Sequence, residues 1–168
     1  LLSRGLGDVY KRQAHDAAPD EVILDLDATD IPVYGQQEGR FFHGFYDHYC
    51  YLPLYIFCGD HLLCARLRTA DKDGAAGSLE ELQRIVPMIR EAWPQTRILI
   101  RADSGFCRDW LISWCEENDV DYLIGVARNA RLEEQVRDSL DLAERESEAN
   151  GLSARLWPSF TWRTLDSW

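Results

Sequence analysis

Several kinds of residue are scarce in this sequence, and each shortage excludes a class of protein. The 168 residues contain one methionine, Met88, so the first residue is not an initiator and we expect a piece of a longer protein. No apolar run reaches the roughly 18 residues that span a bilayer, and the mean hydropathy is -0.34. Both observations exclude a membrane-spanning chain. The first long apolar run begins at Val22, behind a polar segment, and this is not the pattern of a secretory signal.

Cysteine and positive charge are the other two shortages. Five cysteines, an odd number, form no disulfide-like framework, which favours a reducing cytosol. Eighteen basic residues stand against 29 acidic ones, and the net charge is -11. This balance alone argues against a protein that coats nucleic acid through bulk positive charge. Apolar and aromatic residues, by contrast, make up 46% of the chain, which is enough for one domain with a real core.

The first thirteen residues differ in composition from the rest. Residues 1–13, LLSRGLGDVYKRQ, carry three basic residues and one acidic residue and have no repeating apolar face. They resemble the translated adapter tails of fragmentary sequences, and a solvated linker is the alternative. We interpret them as a non-native leader and exclude them from reasoning about the fold.

From residue 21 onward, apolar runs and amphipathic segments alternate. Residues 21–30, EVILDLDATD, predict a buried strand with an acidic tip, and the aromatic and β-branched residues of 41–69 predict two or three antiparallel strands. Ser78 stands three residues before Glu81, which is the spacing of a capping box and predicts Ser78 as the N-cap of a helix. A strand tipped by Asp103, a second helix and a last buried strand follow.

The resulting order is strand, strand, strand, helix, strand, helix, strand. A mixed sheet covered by helices on its faces satisfies this order, and the ribonuclease H-like fold has it. After Ala127 the pattern changes to a charged, amphipathic and exposed helix. The last residues, LSARLWPSFTWRTLDSW, then predict the start of a further strand pair that the end of the sequence cuts off.

Carboxylates at the ends of buried strands are the main candidates for chemistry. Asp27 and Asp103 each stand where an apolar strand turns polar, which in an open α/β sheet is the mouth of the active crevice. Two such carboxylates repel each other unless a cation lies between them, and hard ions such as Mg²⁺ suit them. The alternative is that both aspartates only cap the following turn or helix. Asp25, on the same strand face as Asp27, and Asp30, before a turn, compete for the first position.

Basic and aromatic side chains near these acids are weaker candidates for contacts with phosphates. His43 and His48 either line a DNA cleft or are partly buried in the fold. The arginines near the second acid and the last strand either neutralise phosphates or are ordinary surface charge; they are Arg101, Arg108, Arg128 and Arg131.

A group of cysteines and histidines offers a second type of site. Cys58, His61 and Cys64, with Cys50 and His48 nearby, contain zinc-ligand residue types. They lie within an apolar strand region, however, and no paired C-x-x-C occurs. We therefore interpret the cysteines as core residues, because unpaired cysteine is one of the most often buried residue types.

The stretches DLDATD, QEGRFFHGFYDHYCYLPLYIFCG, RADSGF and YLIGVARNARL occur in this order along the chain. Together they resemble a DDE transposase of the insertion-sequence 1380 family, part of the insertion-sequence 4-like group with a ribonuclease H-like catalytic core. The resemblance covers residues 21–168. It implies that Asp27 and Asp103 are the first and second catalytic acids. The family's third acid is a glutamate in a tyrosine–arginine–glutamate–lysine signature, which this sequence does not contain.

The same resemblance implies an activity and its partners. It implies an incomplete catalytic core at residues 14–127, and a linker helix and the start of an insertion subdomain at residues 128–168. The activity would be cleavage of transposon-end DNA and its transfer to target DNA, with two Mg²⁺ or Mn²⁺ ions held by the acids and a homodimer of the full-length protein. The location would be the bacterial cytoplasm, in association with the nucleoid. A ribonuclease H-like nuclease without strand transfer and an inactive transposase remnant are the alternatives.

Overall fold

The structure is a computed structural model that describes residues 17–161. The chain divides into two units at the boundary between Val126 and Ala127, and we describe each unit by itself. None of the helices in this range combines the length and the apolar composition needed to cross a bilayer. In chain order the elements are β1 (Glu21–Ala28), β2 (Ile31–Pro32), β3 (Phe41–His43), β4 (His48–Tyr51), β5 (Leu54–Cys58), β6 (His61–Arg66), α1 (Ser78–Ala92), β7 (Arg97–Ala102), α2 (Asp109–Glu117), β8 (Asp121–Ile124) and α3 (Ala130–Asn150).

A five-stranded mixed sheet organises the first unit. Its strand order is β6-β5-β1-β7-β8, with β1 in the middle. β5 runs antiparallel to β1, whereas β7 runs parallel to β1 and β8 runs parallel to β7. The elements of this sheet and their helices follow each other as β1, β5, β6, α1, β7, α2 and β8. The predicted ribonuclease H-like order of strands and helices is therefore confirmed.

The core of this unit follows from the alternation of apolar residues in β1. Val22, Leu24 and Leu26 are buried, while the residues between them are not, as expected for side chains that alternate between the two faces of a strand. The same core cluster contains the apolar stripe of α1 and two residues of α2, which cover the sheet; these are Leu82, Ile85, Val86, Ile89, Leu111 and Cys115.

Helix α1 begins in a way that differs from the sequence prediction. Ser78 is the first helical residue and not the N-cap, and its hydroxyl donates to the carbonyl oxygen of Ala75 at 2.7 Å. The N-cap is Gly77, which adopts a left-handed conformation with φ of 81°. The capping-box prediction is wrong because Ser78 is fully buried and its hydroxyl is already used by the preceding loop. Glu81 instead pairs with Arg84, one turn along the helix.

A second, three-stranded sheet lies between β1 and β5 in the chain. Its order is β2-β4-β3, and a turn at residues 44–47 joins β3 to β4. Asp47 closes this turn with φ of 55°. Residues 41–69 therefore contain four strands in two sheets, where the sequence predicted two or three. A small core of Cys50, Leu52 and Ala70 packs against Ala28 and Tyr46.

The second unit contains α3 and the residues that follow it. Asn129 caps the helix by accepting a hydrogen bond from the Leu132 amide at 3.0 Å. No residue of α3 is buried, as predicted for an exposed charged helix. Residues 152–161 form no helix or strand. The rest of the predicted strand pair, residues 162–168, lies outside the described residues, as do residues 1–13.

Candidate active site

Two aspartates lie at the carboxyl ends of neighbouring parallel strands in the middle of the main sheet. Asp27 is near the end of β1, and Asp103 directly follows the last residue of β7. The strand register pairs Leu26 with Ala102, so the next position in each strand brings the two aspartates side by side. Neighbouring strands lie about 4.8 Å apart. Both aspartates are exposed and share the edge at which open α/β sheets hold their ligands.

An ion pair that lies two residues earlier in both strands identifies the face of the sheet on which the aspartates lie. Asp25 and Arg101 are register partners, and Arg101 Nη2 donates to Asp25 Oδ2 at 2.8 Å. Because side chains return to one face every two residues, Asp27 and Asp103 follow this pair on the same face. The hydrogen bond to Asp25 raises the pKa of the Arg101 guanidinium. Asp25 therefore joins the two strands, and its partner is the arginine that the sequence offered as a phosphate contact.

A short 3-10 turn, Ser104–Phe106, holds the carboxylate of Asp103. Asp103 Oδ1 accepts a hydrogen bond from the Gly105 amide at 2.8 Å and so caps this turn. Phe106, the last residue of the turn, is 1% exposed and anchors the turn in the core. On the other side, a Cβ added to Gly125 would lie 3.1 Å from the amide nitrogen at the start of the turn. The backbone that carries Asp103 is thus held by close packing as well as by its own hydrogen bond.

A tyrosine that the sequence did not single out lies near the same carboxylates. Burial raises the pKa of Tyr46, and so do the negative charges of Asp30, Asp27 and Asp103, in that order. The Tyr46 hydroxyl donates to the carbonyl oxygen of Ala28 at 3.5 Å. In the sequence Tyr46 is one of several aromatic residues in a row, and nothing in that run distinguishes it. Only the folding of β3 and β4 against the end of β1 brings it to the acids.

Asp30 and two histidines surround this tyrosine. Asp30 lies in the turn between β1 and β2, as the sequence suggested, and its Oδ2 lies 2.6 Å from His48 Nε2. The ring of His43 contacts the ring of Tyr46 in a tilted arrangement, with ring centroids 4.9 Å apart. Within the described residues, His43 Nδ1 is buried and has no hydrogen-bond partner. The structure thus places His43 in contact with Tyr46.

The loop at residues 71–77 borders the carboxylate edge. A Cβ added to Gly74 would lie 4.0 Å from the Ala28 Cβ and 4.0 Å from the Gly105 carbonyl oxygen. Ala28 is the last residue of β1, and Gly105 lies within the 3-10 turn that Asp103 caps. The loop therefore lies next to the end of β1 and to the turn that follows β7.

Arg108, another predicted phosphate contact, is paired with this loop. Arg108 Nη2 donates to Asp73 Oδ2 at 2.6 Å. Burial pushes the pKa of Asp73 upward, but hydrogen bonds from Arg108 and from the Ala75 amide outweigh it, and the pKa is lowered. The two remaining arginines lie in the second unit, where Arg128 pairs with Glu133 and Arg131 lies in the first turn of α3.

The carboxylate edge fits a hard divalent cation in its chemistry. Asp27 and Asp103 offer oxygen donors from adjacent strands, and Mg²⁺ is usually held by one or two carboxylates together with waters and substrate oxygens. A cation also relieves the repulsion between two neighbouring carboxylates. Among residues 17–161, however, no three His, Cys, Asp or Glu side chains are grouped as a metal site. The described residues thus bring two carboxylates together at this edge.

The cysteines do not form a zinc site in the described part of the chain. Cys50, Cys58 and Cys64 are buried with exposed fractions of 0%, 8% and 8%, and no metal-binding group includes them among the described residues. Burial raises the pKa of Cys64 to about 11, which disfavours the thiolate that zinc requires. The prediction that these cysteines belong to the core is confirmed.

Comparisons with known proteins add a family and a fold neighbour. A family model described as transposase DDE domain group 1 matches residues 4–168. The structure is similar to the HTLV-2 integrase catalytic core domain in complex with magnesium, with TM-scores of 0.40 for the dimeric form and 0.37 for the trimeric form. Identity is 11% in both cases, and the alignments cover 82% of this chain and 77% or 78% of the integrase chain. No curated protein matches the sequence.

Proposed function

The chain belongs to the transposase DDE domain group 1 family, and from this premise we propose that it is the central part of a transposase that cleaves donor DNA and joins the freed 3′ hydroxyl to target DNA. The observation that carries the proposal is the side-by-side position of Asp27 and Asp103 at the carboxyl ends of neighbouring parallel strands. We assign them the roles of first and second catalytic acid. We further assign the chain to the insertion-sequence 1380 family, on the sequence stretches quoted above.

The proposed mechanism gives each group at the edge a physical task. Asp27 and Asp103 supply the oxygens that hold Mg²⁺ or Mn²⁺. Such ions, when bound, would supply electrostatic stabilisation of the charge that develops on the phosphodiester. The Asp25–Arg101 pair keeps β1 and β7 in register, and the turn after Asp103 holds its carboxylate. Tyr46, whose pKa is raised, stays protonated near neutral pH and can donate a hydrogen bond at this edge.

The partner that we propose is DNA, although the chain has a net charge of -11. Arg101 and Arg108 are each engaged by a carboxylate, so either would have to exchange that partner for a phosphate. His43, Arg128 and Arg131 remain proposals as DNA contacts. We assign most neutralisation of phosphate charge to other parts of a longer, homodimeric protein, which would act in the cytoplasm at the nucleoid.

A nuclease that hydrolyses DNA without strand transfer would use the same two carboxylates, so the test must separate the two activities. The longer protein that contains this chain is incubated with Mn²⁺, labelled transposon-end duplex and supercoiled target plasmid. We expect labelled end DNA joined to the plasmid, and loss of the joined product on Asp103→Asn. Asp121→Asn is the matched control, because Asp121 begins β8 and pairs with Arg97 away from the carboxyl edge.

The same assay identifies each alternative. Hydrolysed ends without joined product would support a nuclease. The absence of both products from the longer protein would support an inactive remnant, in which the domain keeps its fold and two acids without the reaction. Joined product that survives Asp103→Asn would contradict the assignment of the second acid.

A further inference from the structure

A buried arginine lies beneath the loop that borders the carboxylate edge. Arg68 is 8% exposed. Its Nε donates to the Leu52 carbonyl oxygen at 2.8 Å, and its Nη1 donates to the Gly74 carbonyl oxygen at 3.0 Å and also to that of Ala76. One guanidinium thus ties the segment between β4 and β5 to two positions of loop 71–77.

Arg68 is a costly residue for this position. Among the described residues no carboxylate lies within ion-pair distance of it, and the charge of Asp73 acts on it only from further away, because Asp73 pairs with Arg108. Its Nη2 is buried without a hydrogen-bond partner in the same range. Burying a charged group without a counter-ion costs free energy unless hydrogen bonds compensate, and a buried unsatisfied donor adds to that cost. The segments that the side chain holds in place can explain why so costly a residue occupies this position.

Arg68 holds loop 71–77, which borders the candidate active site. Gly74, one of its two partners in the loop, lies against the end of β1 and against the turn that carries Asp103. Ala75 is 0% exposed and belongs to the main core, so the loop is seated as well as hydrogen-bonded. The pair between Asp73 and Arg108 fastens the outer side of the same loop to the start of α2.

We propose that Arg68 is a positioning residue, which fixes loop 71–77 against the ends of β1 and β7 and thereby sets the separation of the Asp27 and Asp103 carboxylates. Asp27 and Asp103 are exposed, so the backbone behind them must be held by other groups if they are to bind a cation at a fixed distance. Arg68 does so from beneath and touches neither the cation nor DNA. This inference rests on the proposed role of the two aspartates as metal ligands.

The test is a titration of the 168-residue chain with Mn²⁺, followed through the paramagnetic resonance signal of the free ion. Arg68→Met removes the three hydrogen bonds at similar side-chain length, whereas Arg68→Lys keeps the charge without the planar fork. We expect Arg68→Met to weaken Mn²⁺ binding by about tenfold or more, as is usual for residues that orient metal ligands, and Arg68→Lys to weaken it less. Hydrogen exchange of the Gly105 amide should accelerate in the same order.

Arg90→Met is the matched control for a purely structural role. Arg90 Nη2 also donates to two main-chain carbonyls of a loop, those of Asn118 and Asp119, but this loop precedes β8 and lies at the opposite edge of the sheet. We expect Arg90→Met to lower the melting temperature and to leave Mn²⁺ affinity and Gly105 exchange unchanged.

The outcomes of the titration test the inference and the proposed function separately. A folded Arg68→Met variant with wild-type Mn²⁺ affinity overturns the inference, while loss of binding on Asp27→Asn and Asp103→Asn still supports the proposed site. If Arg68→Met does not fold, Arg68→Lys and Asp73→Asn decide, and wild-type affinity in both overturns the inference. Mn²⁺ binding that is indifferent to Asp27→Asn and Asp103→Asn overturns the proposed site and the inference with it.

Discussion

Individual side chains make the carboxylate edge of the sheet predominantly negative. Asp27 and Asp103 are exposed and adjacent, and Asp30 lies close enough to act on the same tyrosine. By contrast, Asp25 and Asp30 each have a basic or histidine partner at hydrogen-bond distance. The two aspartates at the strand ends are therefore the ones whose repulsion a cation would relieve.

We expect Mg²⁺ or Mn²⁺ to raise the melting temperature of this chain. At ten times the dissociation constant, binding to the folded state alone adds about 1.4 kcal/mol to the free energy of unfolding. Asp27→Asn or Asp103→Asn should abolish most of that gain, and either substitution should raise the melting temperature without metal by removing repulsion. Differential scanning fluorimetry with and without metal measures both effects. Asp121→Asn is the control, and an equal loss there would indicate diffuse screening.

The cysteines give a second prediction for single residues. Burial raises the pKa of Cys64 and that of Cys115 to about 11, so both are protonated at pH 8 as well as inaccessible. Cys107 is partly exposed. Iodoacetamide at pH 8 should therefore label Cys107 in the folded protein, and all five cysteines only after unfolding, as measured by mass spectrometry.

The same raised pKa values predict the direction of a pH effect. A thiol whose pKa is higher in the folded state stabilises that state fully below the unfolded pKa of about 8.5. This contribution is lost as the pH rises toward about 11. In the iodoacetamide experiment, labelling of Cys64 at pH 8 at the same rate as Cys107 would contradict the first of these predictions and would mean that the core opens locally.

Among the elements, α1 shows how a helix start depends on its surroundings. The sequence contained a good capping pattern, yet the structure uses Gly77 in a left-handed conformation and buries Ser78. The sequence mispredicted the N-cap of α1 but predicted its apolar stripe correctly. Capping patterns describe an exposed helix end, and here the loop 71–77 packs the end against the core.

Gly77→Ala should lower the free energy of unfolding by about 1–2 kcal/mol, because an L-residue is strained at a positive φ. A Cβ at Gly77 would also lie 2.8 Å from Arg66 Nη1, but that atom ends a flexible, half-exposed side chain that can move. Gly35→Ala is the matched control, since Gly35 has φ of 79° and open space around it. Chemical denaturation should give similar losses for the two variants. A much larger loss at Gly77 would mean that Arg66 is fixed in place.

At the scale of the whole molecule, our proposal requires a third acid in addition to Asp27 and Asp103. No third acidic side chain joins Asp27 and Asp103 in residues 17–161. A second metal ion would then be poorly held, and the transition state would lack stabilisation commonly worth several kcal/mol. With a net charge of -11, the chain also lacks the phosphate neutralisation that dominates DNA affinity.

We therefore expect the 168-residue chain alone to show no detectable cleavage or strand transfer with Mn²⁺, and the longer protein to show both. Labelled transposon-end duplex resolved on denaturing gels measures this. Specific nicking at the element boundary by the chain alone, lost on Asp103→Asn, would contradict the requirement for a third acid.

The sequence by itself determined the order of strands and helices in the main sheet and the location of an aspartate at the end of β1 and of β7. It could do so because strand and helix patterns are local, with apolar residues recurring every two or every three to four positions. It underestimated the strands of residues 41–69, since a short hairpin between long strands has too few residues to show its own period.

Only the tertiary structure decided which residues meet at those strand ends. Register pairs Asp25 with Arg101, 76 positions apart, and folding of the small sheet brings Tyr46 to Ala28, 18 positions away. Arg68 looks like any surface arginine in the sequence, yet it is buried beneath loop 71–77. The physical reason is that such contacts depend on how separate elements pack against one core, and no local period in the chain records that packing.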